Sequence, residues 1–502
     1  MPEPRLTADQ QAAAAAFTAW LAQPADGTPF VLSGYAGTGK TFLSSQLLAG
    51  VEAGGLCWTV VAPTHKAVGV LRSQLAAAGL SPTWFPSTIH RLLRLKLRRQ
   101  GDLERCEETE QTALALEHLG LVLIDEASMV DSQLLEISLR CAHPFRTRLV
   151  FVGDPAQLPP VGEASSPVFA MGRAATAELR EVVRHQGPVL RLAQGIREQA
   201  LPCQPPPPLP PVRDAAGRVA VLPRRQWLEQ AQAALRRSAD TDNPDLARIL
   251  CYTNRSLEQL VPIARRALHG AMADQLAVLP GEVLITRAAV MAPACRQGEE
   301  MAEEPDMVLG SNRELVVRDV QPERCDLADF GLSAGDLAGD LLLPAMAVPV
   351  IDTLMATVEV GEGTLQLRLL PPLGSAARAS LDGVLARLRS AARGQEKSAA
   401  RALWRRFFLL RDAFASLGPA AVLTVHRSQG STFGEVFVDA DVFWPKDPLL
   451  RRQLVYVAVS RARTAVTLMA GTARPTDQQR WQDWLTDQDG EGVGTSNGEA
   501  SG

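Results

Sequence analysis

Residues 30–41 read Phe-Val-Leu-Ser-Gly-Tyr-Ala-Gly-Thr-Gly-Lys-Thr, a short apolar run followed by a glycine-rich loop. The run predicts a buried strand, and the glycines allow backbone N–H groups to turn inward around an anion. A helix that starts here adds its positive N-terminal end. Lys40 can reach terminal phosphates, and the Thr41 hydroxyl can hold Mg²⁺. The sequence therefore predicts a nucleotide-phosphate site formed by Gly34, Ala36, Gly37, Thr38, Gly39, Lys40 and Thr41.

Strand-like and helix-like segments alternate through the first 190 residues. The strand-like apolar runs are Phe30–Ser33, Cys57–Ala62, Leu121–Ile124 and Leu149–Val152. Helical patterns lie between them, at Ala12–Leu21, Phe42–Val51, Ala67–Ala78 and Leu134–Cys141. This alternation predicts an α/β domain over 1–190, with a parallel sheet covered on both faces. Ligands of such sheets bind at the carboxyl ends of the strands.

A basic segment interrupts this pattern within 93–112. Leu93–Arg98 alternates apolar and basic residues with a period of two, and Gln100-Gly101-Asp102 follows as a turn. This predicts an inserted β-hairpin with one basic face. A solvated edge strand is the alternative interpretation.

The remainder of the chain predicts a second α/β domain that is itself interrupted. The proline-rich stretch within 201–212 is interpreted as a stiff linker rather than a ligand for SH3 domains. Strand and helix signals then resume over 213–290 and 420–486. Between them, 291–419 predicts a β-rich insert with a helical extension near Leu381–Leu417. The acidic, glycine-rich tail at 487–502 is predicted to be disordered.

Composition and charge exclude some classes of protein but do not identify a binding partner. The 502 residues carry a net charge of -4, so any contact with a polyanion must come from local basic patches. The seven cysteines are scattered without a Cys-x-x-Cys pair, which predicts free thiols in a reducing compartment. No apolar stretch reaches the ~20 residues of a membrane span, and the N-terminus is too polar for a signal peptide. We therefore expect a cytoplasmic protein.

Two further segments supply groups for hydrolysis. The apolar run 121–124 ends in Asp125 and Glu126. Asp125 can hold Mg²⁺ through water, and Glu126 can orient and deprotonate an attacking water. Gln157, in the loop after the next strand, is predicted to reach the γ-phosphate or that water. Its loop can then differ between ATP and ADP states.

Taken in order, these segments resemble the motifs of superfamily-one helicases. Within that superfamily they resemble the RecD-like and Dda-like branch. The likeness runs from about Leu6 to Leu485. Besides the phosphate loop and the carboxylates, the segments that carry it are Leu6–Gln10, Ala62–Ala67, Ser87–His90, Leu179–Arg184, Tyr252–Asn254, Leu423–Thr432 and Tyr456–Arg463. The insert departs from the family pattern, because Asn312-Arg313-Glu314 stands where Asn-Gly-Glu or similar is usual.

The resemblance implies roles for single residues. Gln10 is expected to read adenine, Arg184 and Arg461 to reach the γ-phosphate, and Gly430 to lie at the nucleotide. The residues expected to bind single-stranded DNA are Pro63, Thr64, His65, Lys66, Thr88, His90, Thr424, His426 and Ser428.

The family also implies an architecture and an activity. We expect a monomer with two RecA-like P-loop motor domains, ATP and Mg²⁺ in the cleft between them, and an SH3-like barrel as the insert. The 93–112 hairpin would be a pin that splits the duplex. The expected function is an ATP-dependent DNA helicase that moves 5′→3′ in the cytoplasm of a bacterium or a phage-infected host. Expected partners are single-stranded DNA, duplex forks, and single-strand-binding, replication or recombination proteins.

Three alternatives remain open from the sequence. The first is an RNA helicase of the same superfamily. The second is a translocase or recombination mediator that does not unwind. The third is a non-catalytic DNA-binding scaffold with a vestigial nucleotide site, against which the presence of Lys40, Glu126 and Arg461 argues.

Overall fold

The structure is a computed structural model that describes residues 6–100, 103–160, 162–181, 187–198, 201, 204–291, 307–337, 347–361, 363–471 and 475–485. Arg184 and the tail 487–502 lie outside the described residues, so the predictions made for them stay predictions. Within the described ranges, no helix is both long and apolar enough to cross a membrane.

The N-terminal unit is built on a parallel sheet. Its helices are α1 (Ala8–Ala22), α2 (Lys40–Ala53), α3 (His65–Ala77), α4 (Ile89–Leu92) and α5 (Ser132–Ala142). Its strands are β1 (Phe30–Gly34), β2 (Trp58–Ala62), β3 (Ser87–Thr88), β4 (Lys96–Gln100), β5 (Leu103–Glu107), β6 (Leu121–Ile124), β7 (Arg148–Gly153) and β8 (Ala175–Leu179). Six of the strands pair in the order β3-β2-β6-β7-β1-β8, all parallel.

Burial explains why the central strands read as unbroken apolar runs. Every residue of β2 and β6 is buried, because helices cover both faces of the sheet. One core contains Phe17, Leu43 and Leu71 from α1, α2 and α3. The opposite core contains Ile89 from α4 and Ile137 from α5. The predicted α/β class with a parallel sheet is confirmed.

The inserted hairpin consists of β4 and β5, which pair antiparallel from Lys96↔Glu107 to Gln100↔Leu103. They form a separate two-stranded sheet, so the edge-strand interpretation is wrong. Leu93 was expected in the first strand, but it is buried at the end of α4, and Arg94 follows with a φ of +53°. The strands of the hairpin thus begin three residues later than the sequence pattern indicated.

The second parallel sheet is assembled from both sides of the insert. Before the insert come α6 (Pro188–Glu198), β9 (Leu209–Asp214), β10 (Gly217–Leu222), α7 (Arg224–Asp240), β11 (Ala247–Cys251), α8 (Asn254–His269) and α9 (Met272–Gln275). The insert contributes β12 (Val283–Thr286), β13 (Val290–Met291), β14 (Met307–Leu309), β15 (Glu314–Asp326), β16 (Val350–Val360), β17 (Gly363–Leu369), α10 (Ala376–Arg393), α11 (Lys397–Asp412) and β18 (Leu417–Pro419). After it come β19 (Val422–Thr424), β20 (Phe433–Val438), α12 (Pro448–Ser460), β21 (Ala462–Met469) and α13 (Pro475–Leu485).

Two predicted boundaries need correction in the second unit, whose strand order is β19-β11-β20-β21-β10-β9. Leu192 and Ile196 of α6 lie in the same core as Leu454 and Trp481, so the second unit begins before residue 190. The supposed linker 201–212 contains the start of β9, which pairs antiparallel with β10 at the sheet edge. Proline is tolerated there because an edge strand leaves N–H positions unpaired.

The insert is an antiparallel sheet in the order β17-β16-β15-β12-β18. It starts earlier than the predicted residue 291, since β12 pairs with β15 and β18 rather than with the motor sheet. The expected helical extension is present as two helices, α10 and α11, joined by residues 394–396.

A buried ion pair anchors the insert to the second unit. Glu282 precedes β12 with a side chain that is 2% exposed, and it accepts hydrogen bonds from Arg265 of α8 at 2.7 Å and 3.1 Å. The Leu279 N–H also donates to this carboxylate, at 3.1 Å.

We expect Glu282→Ala to destabilise the second unit by about 3–5 kcal/mol, because it leaves the Arg265 charge buried without its partner. The midpoint of thermal unfolding should fall by several degrees. Glu229→Ala is the control, since Glu229 and Arg225 form an exposed pair, and such pairs contribute about 1 kcal/mol or less. Equal midpoints for the two variants would contradict this assignment.

Candidate active site

The phosphate loop lies between the end of β1 at Gly34 and the start of α2 at Lys40. Gly37 and Gly39 have φ angles of +87° and +77°, a left-handed conformation that side chains disfavour. A Cβ at Gly34 would lie 2.8 Å from the Thr38 hydroxyl, so the loop closes tightly over that position. The glycines are therefore required by the backbone path itself.

Lys40 lies across this loop. Its Nζ donates to the carbonyl oxygens of Gly34 at 2.7 Å and Tyr35 at 2.9 Å. The ammonium group is thus held at the mouth of the loop, where an incoming phosphate can replace the carbonyl oxygens as its partner. Thr41 follows in the first turn of α2.

Gln10 braces the loop from α1. Its side chain is buried, its Nε2 donates to the Thr38 carbonyl at 3.1 Å, and its Oε1 accepts from the Thr7 N–H at 3.1 Å. The structure therefore brings Gln10 to the phosphate loop through Thr38. Its reading of adenine stays a prediction.

The two carboxylates follow β6 directly. Burial and the neighbouring charge of Glu126 raise the pKa of Asp125 to about 7. Glu126 adopts a φ of +52°, which is uncommon for a residue other than glycine and often marks functional sites. Its N–H donates to Asp125 Oδ1 at 2.8 Å.

The surroundings of Asp125 fit Mg²⁺. Thr41, Ser44 and Asp125 line one cavity, and the Ser44 hydroxyl is buried there without a hydrogen-bond partner in the described structure. Hydroxyl and carboxylate oxygens are ligands that Mg²⁺ accepts, together with water and substrate phosphates. A cation here would also favour the ionised form of Asp125.

A tyrosine of the second unit reaches into this site. The Tyr456 hydroxyl, on α12, accepts from the Ala36 N–H at 3.0 Å and donates to Asp154 Oδ2 at 2.7 Å. Asp154 follows β7 and is fully buried, and its Oδ1 accepts from the Ala156 N–H at 2.9 Å. The sequence pattern predicted no role for either residue. No local pattern signals a contact across 302 positions of the chain.

Gln157 lies close to the same interface. It is buried, and its Oε1 has no hydrogen-bond partner among the described residues. Next to it, the Leu158 carbonyl accepts from Nε2 of Gln429 in the second unit at 3.1 Å. A buried acceptor oxygen without a partner is costly, so Gln157 is suited to receive a water or ligand donor.

Arg461 is held within its own unit. Its guanidinium donates to the carbonyl oxygens of Val457 at 3.3 Å and Ser431 at 3.2 Å, and to the Ser460 hydroxyl at 3.1 Å. All three partners belong to the second unit, so the contact of Arg461 with a γ-phosphate stays a prediction.

The predicted strand-binding loops meet where the two units touch. Gly430 has a φ of +71°, and a Cβ there would lie 3.3 Å from Ala67 Cβ and 3.6 Å from the Thr64 hydroxyl. Its nearest neighbours are thus residues at the start of α3, and its contact with nucleotide stays a prediction.

Threonine caps shape two of these loops. The hydroxyls of Thr64 and Thr88 accept from the N–H groups of Ala67 and Arg91, which caps α3 and α4. The half-buried Thr64 hydroxyl keeps its own proton for donation to a phosphate. The Thr88 side chain is buried, and its contact with DNA stays a prediction. Pro63 and the three predicted histidines are half-buried beside them.

Burial corrects two predicted strand contacts. Ser428 is fully buried and donates its hydroxyl to the Val425 carbonyl at 2.7 Å. Thr424, at the end of β19, is also buried. These side chains support the loop from inside instead of reaching its surface.

Lys66 forms an ion pair with Glu314 of the insert and is mostly shielded from solvent. Its Nζ lies 2.8 Å from Glu314 of the insert and 5.1 Å from the centre of the Phe433 ring. Arg248 lies 3.5 Å from the same carboxylate. Burial opposes ionisation of Glu314, but Arg248 and Lys66 lower its pKa below the ordinary value. Direct phosphate binding by Lys66 therefore requires it to exchange Glu314 for DNA.

The surroundings of the loop histidines favour their neutral form. Burial lowers the pKa of His65, His90 and His426, and nearby arginines lower that of His65 further. Such rings can donate an N–H to a phosphate without carrying charge. The His65 ring also packs on Gly310 of the insert, where any side chain would collide with it.

We expect Tyr456→Phe to loosen the contact between the units, because it leaves Asp154 and the Ala36 N–H without their shared partner. A hydrogen bond to a charged group contributes about 1.5–3 kcal/mol, and 1.4 kcal/mol is tenfold. Amide hydrogen exchange at residues 34–39 of the free protein should quicken at least about tenfold. Tyr252→Phe is the control, since no described residue bonds its hydroxyl; equal exchange in both variants would refute the expectation.

Comparison with known proteins finds matches to two parts of the chain and to the chain as a whole. A family model described as an AAA domain matches residues 5–201, and one described as a UvrD-like helicase C-terminal domain matches residues 419–469. The chain is 24% identical over 440 residues to the ATP-dependent DNA helicase dda of Enterobacteria phage T4, covering 86% of this chain and 92% of that protein. It is 33% identical over 171 residues to the ATP-dependent RecD2 DNA helicase of Deinococcus radiodurans, covering 33% and 21%. The crystal structure of Bacteroides Pif1 bound to ssDNA aligns at 17% identity with a TM-score of 0.43, covering 95% and 94%.

The matched regions fall on the two parallel sheets. The first covers the phosphate loop, the carboxylates and the Gln157 loop, and the second covers β19–β21 and α12. Together with the order of the motifs along the chain, these matches support a superfamily-one helicase similar to Dda and RecD2.

Proposed function

We propose that the chain is an ATP-dependent DNA helicase that moves 5′→3′ along single-stranded DNA and separates duplex DNA. The observation that carries the proposal is the meeting of the phosphate loop of one parallel sheet with α12 of the other, through Tyr456. A nucleotide bound at such a junction touches both units, so its hydrolysis can move one against the other. The direction of movement rests on the family resemblance.

The chemistry is divided among residues of the first unit. Lys40 and the loop N–H groups bind the phosphates, and Glu126 orients and deprotonates the attacking water. Thr41 and Asp125 would hold Mg²⁺, which would supply positive charge against the phosphates. Gln157, with its unpartnered oxygen, positions the water or senses the γ-phosphate.

Arg461 supplies the link to the second unit. Stabilisation of charge on the γ-phosphoryl group requires it to give up Ser431 and move toward the nucleotide. Ser431 adjoins Gly430, which packs on the start of α3. The departure of Arg461 is therefore transmitted to the loops that carry Thr64 and His426, and alternating grip on a strand follows from it.

The proposed partners are single-stranded DNA and duplex forks, with single-strand-binding, replication or recombination proteins as further candidates. The proposed site of action is the cytoplasm of a bacterial cell or of a phage-infected host. An RNA helicase is separated from this proposal by comparing ATPase stimulation with DNA and RNA homopolymers. A scaffold with a vestigial site would show no ATP turnover at all.

The decisive experiment is an unwinding assay on 5′-tailed, 3′-tailed and blunt duplexes. We expect the 5′-tailed duplex to be unwound at least about tenfold faster than the others. Lys40→Ala should lower ATPase by more than about 10²-fold, since it removes charge stabilisation in the transition state, and should leave strand binding largely intact. Lys446→Ala, an exposed lysine outside the site, is the matched control.

Three results would count against the proposal. Unwinding from the 3′ tail alone would overturn the direction. ATPase and strand tracking without unwinding would favour the translocase alternative. Normal ATPase in Lys40→Ala would refute the assignment of the site.

The β4–β5 hairpin is the proposed pin. We expect replacement of residues 98–104 by two glycines to reduce unwinding far more than DNA-stimulated ATPase, which should stay within about threefold because no residue of the cleft changes. A rigid obstacle at the fork turns each step into strand separation, against stacking of about 1.4 kcal/mol per base-pair step.

Unwinding and ATPase should be measured on the same fork. A parallel loss of both would assign the hairpin to the strand grip. Unchanged unwinding would place the splitting element elsewhere, most simply in the insert.

A further inference from the structure

The two helices of the insert form a hairpin at the far end of its long β-ribbon. Leu381, Val384 and Leu388 of α10 pack in one core with Leu403, Phe407 and Leu410 of α11. Leu327 and Ile351, at the ribbon end, belong to the same core. The apolar faces of both helices are buried in this contact. Their other faces carry mainly polar and charged residues.

The outer faces are strongly basic, although the whole chain is slightly acidic. Between residues 376 and 412 the sequence has nine Arg or Lys and three Asp or Glu, against a net charge of -4 for the whole chain. Asp382 bonds Arg378 at 2.9 Å and Asp412 bonds Arg411 at 2.7 Å, and Arg393 and Arg405 also have partners in the structure that DNA phosphates would have to replace or share. Four arginines of the two helices are exposed, Arg389, Arg393, Arg401 and Arg405, and the guanidinium of Arg389 also lies 5.3 Å from the centre of the Phe407 ring.

The spacing of these four arginines makes a rigid stripe on each helix. Arg389 and Arg393 are four residues apart on α10, and Arg401 and Arg405 are four apart on α11, so each pair lies on one helix face. Arg393 and Arg401 lie close to the connection at residues 394–396. Arg405 lies halfway along α11.

The chemistry of the exposed helix faces favours one kind of binding partner over others. None of the large hydrophobic side chains that are exposed in the described structure lies on α10 or α11. A helix that binds a membrane surface needs an exposed apolar face, and single-strand binding without sequence preference uses aromatic platforms for base stacking. Trp404 provides no such platform, since its ring packs on Phe407 and Phe408. A basic surface without either feature fits the sugar-phosphate backbone of a duplex.

Distance separates this surface from the strand-binding loops. Glu314, at one end of β15, lies at Lys66 of the first unit, and Cys325, near the other end, packs in the core of the helical hairpin. At about 3.3 Å per residue, the strand carries the helices up to about 35 Å away. This is close to one turn of duplex DNA, about 34–36 Å.

We propose that the α10–α11 hairpin binds the phosphate backbone of duplex DNA about one helical turn from the strand-binding loops. The inference rests on the proposed function, because it makes the hairpin the anchor for the duplex arm of the fork on which the motor works. The contact is independent of base sequence and sensitive to salt. It holds the duplex in a fixed position relative to the ribbon while the two parallel-sheet units move along the single strand.

The test compares three DNAs with the full-length chain: a single strand, a fork with a 6-base-pair stem and a fork with a 24-base-pair stem. The variant is R393Q/R401Q/R405Q, which keeps good helix formers at all three positions. We expect wild type to bind the long-stem fork at least about tenfold more tightly than the short-stem fork, and the variant to lose this gain. The salt dependence of long-stem binding should flatten by up to about 2.7 in log–log slope, at about 0.9 per phosphate contact.

The matched control is R225Q/R236Q/R266Q, which removes the same charge from exposed positions on α7 and α8. It should keep the stem-length gain, and single-strand-stimulated ATPase should be normal in both variants. Equal loss of single-strand and long-stem binding in the hairpin variant would place these arginines on the strand path and overturn the proposal. Binding of poly-glutamate through these arginines, without a stem-length gain, would assign the surface to an acidic protein and also overturn it.

The assay separates this inference from the helicase proposal. If wild type unwinds 5′-tailed duplexes but shows no stem-length gain that depends on the arginines, only the present inference fails. If wild type shows that gain but never unwinds, only the helicase proposal fails.

Discussion

The hydroxyl of Tyr456 is the point at which the two parallel sheets depend on each other. It is buried, and it serves at once as acceptor for the phosphate loop and as donor to the buried Asp154. Breaking this contact inside the interface leaves two polar groups without partners, which is costly in a low dielectric. A phosphate that takes the Ala36 N–H competes with the same hydroxyl. Nucleotide binding and the relative position of the units are thereby parts of one equilibrium.

A second junction ties the insert to both units. The Glu314 carboxylate meets Lys66 of the first unit and Arg248 of the second, with the Phe433 ring next to both cations. Because this cluster is partly buried, loss of one partner would leave another charge without compensation, and that would destabilise the junction. The proposed movement at the nucleotide cleft therefore has a direct route to the insert through this charged contact.

The sequence was informative where a function lies in neighbouring residues. The phosphate loop, the pair Asp125–Glu126 and the parallel sheet could be predicted, because glycine spacing and apolar runs express local requirements. The membership of α6 in the second unit could not be predicted, because an apolar helix face does not indicate which of two sheets it packs against. The pairing of Lys66 with Glu314, 248 positions away, and the burial of Ser428 depend on tertiary packing. Proline-rich composition indicated a linker, although an edge strand accepts the same residues.

That edge strand has a consequence for the behaviour of many copies together. An open sheet edge offers unpaired N–H groups on which a strand of another molecule can add, which is a common route to aggregation. In β9, Pro210 and Pro211 are exposed and have no N–H to offer, and the opposite edge of the sheet, β19, is only three residues long. These two edges of the second sheet therefore offer little backbone on which a strand of another molecule could add.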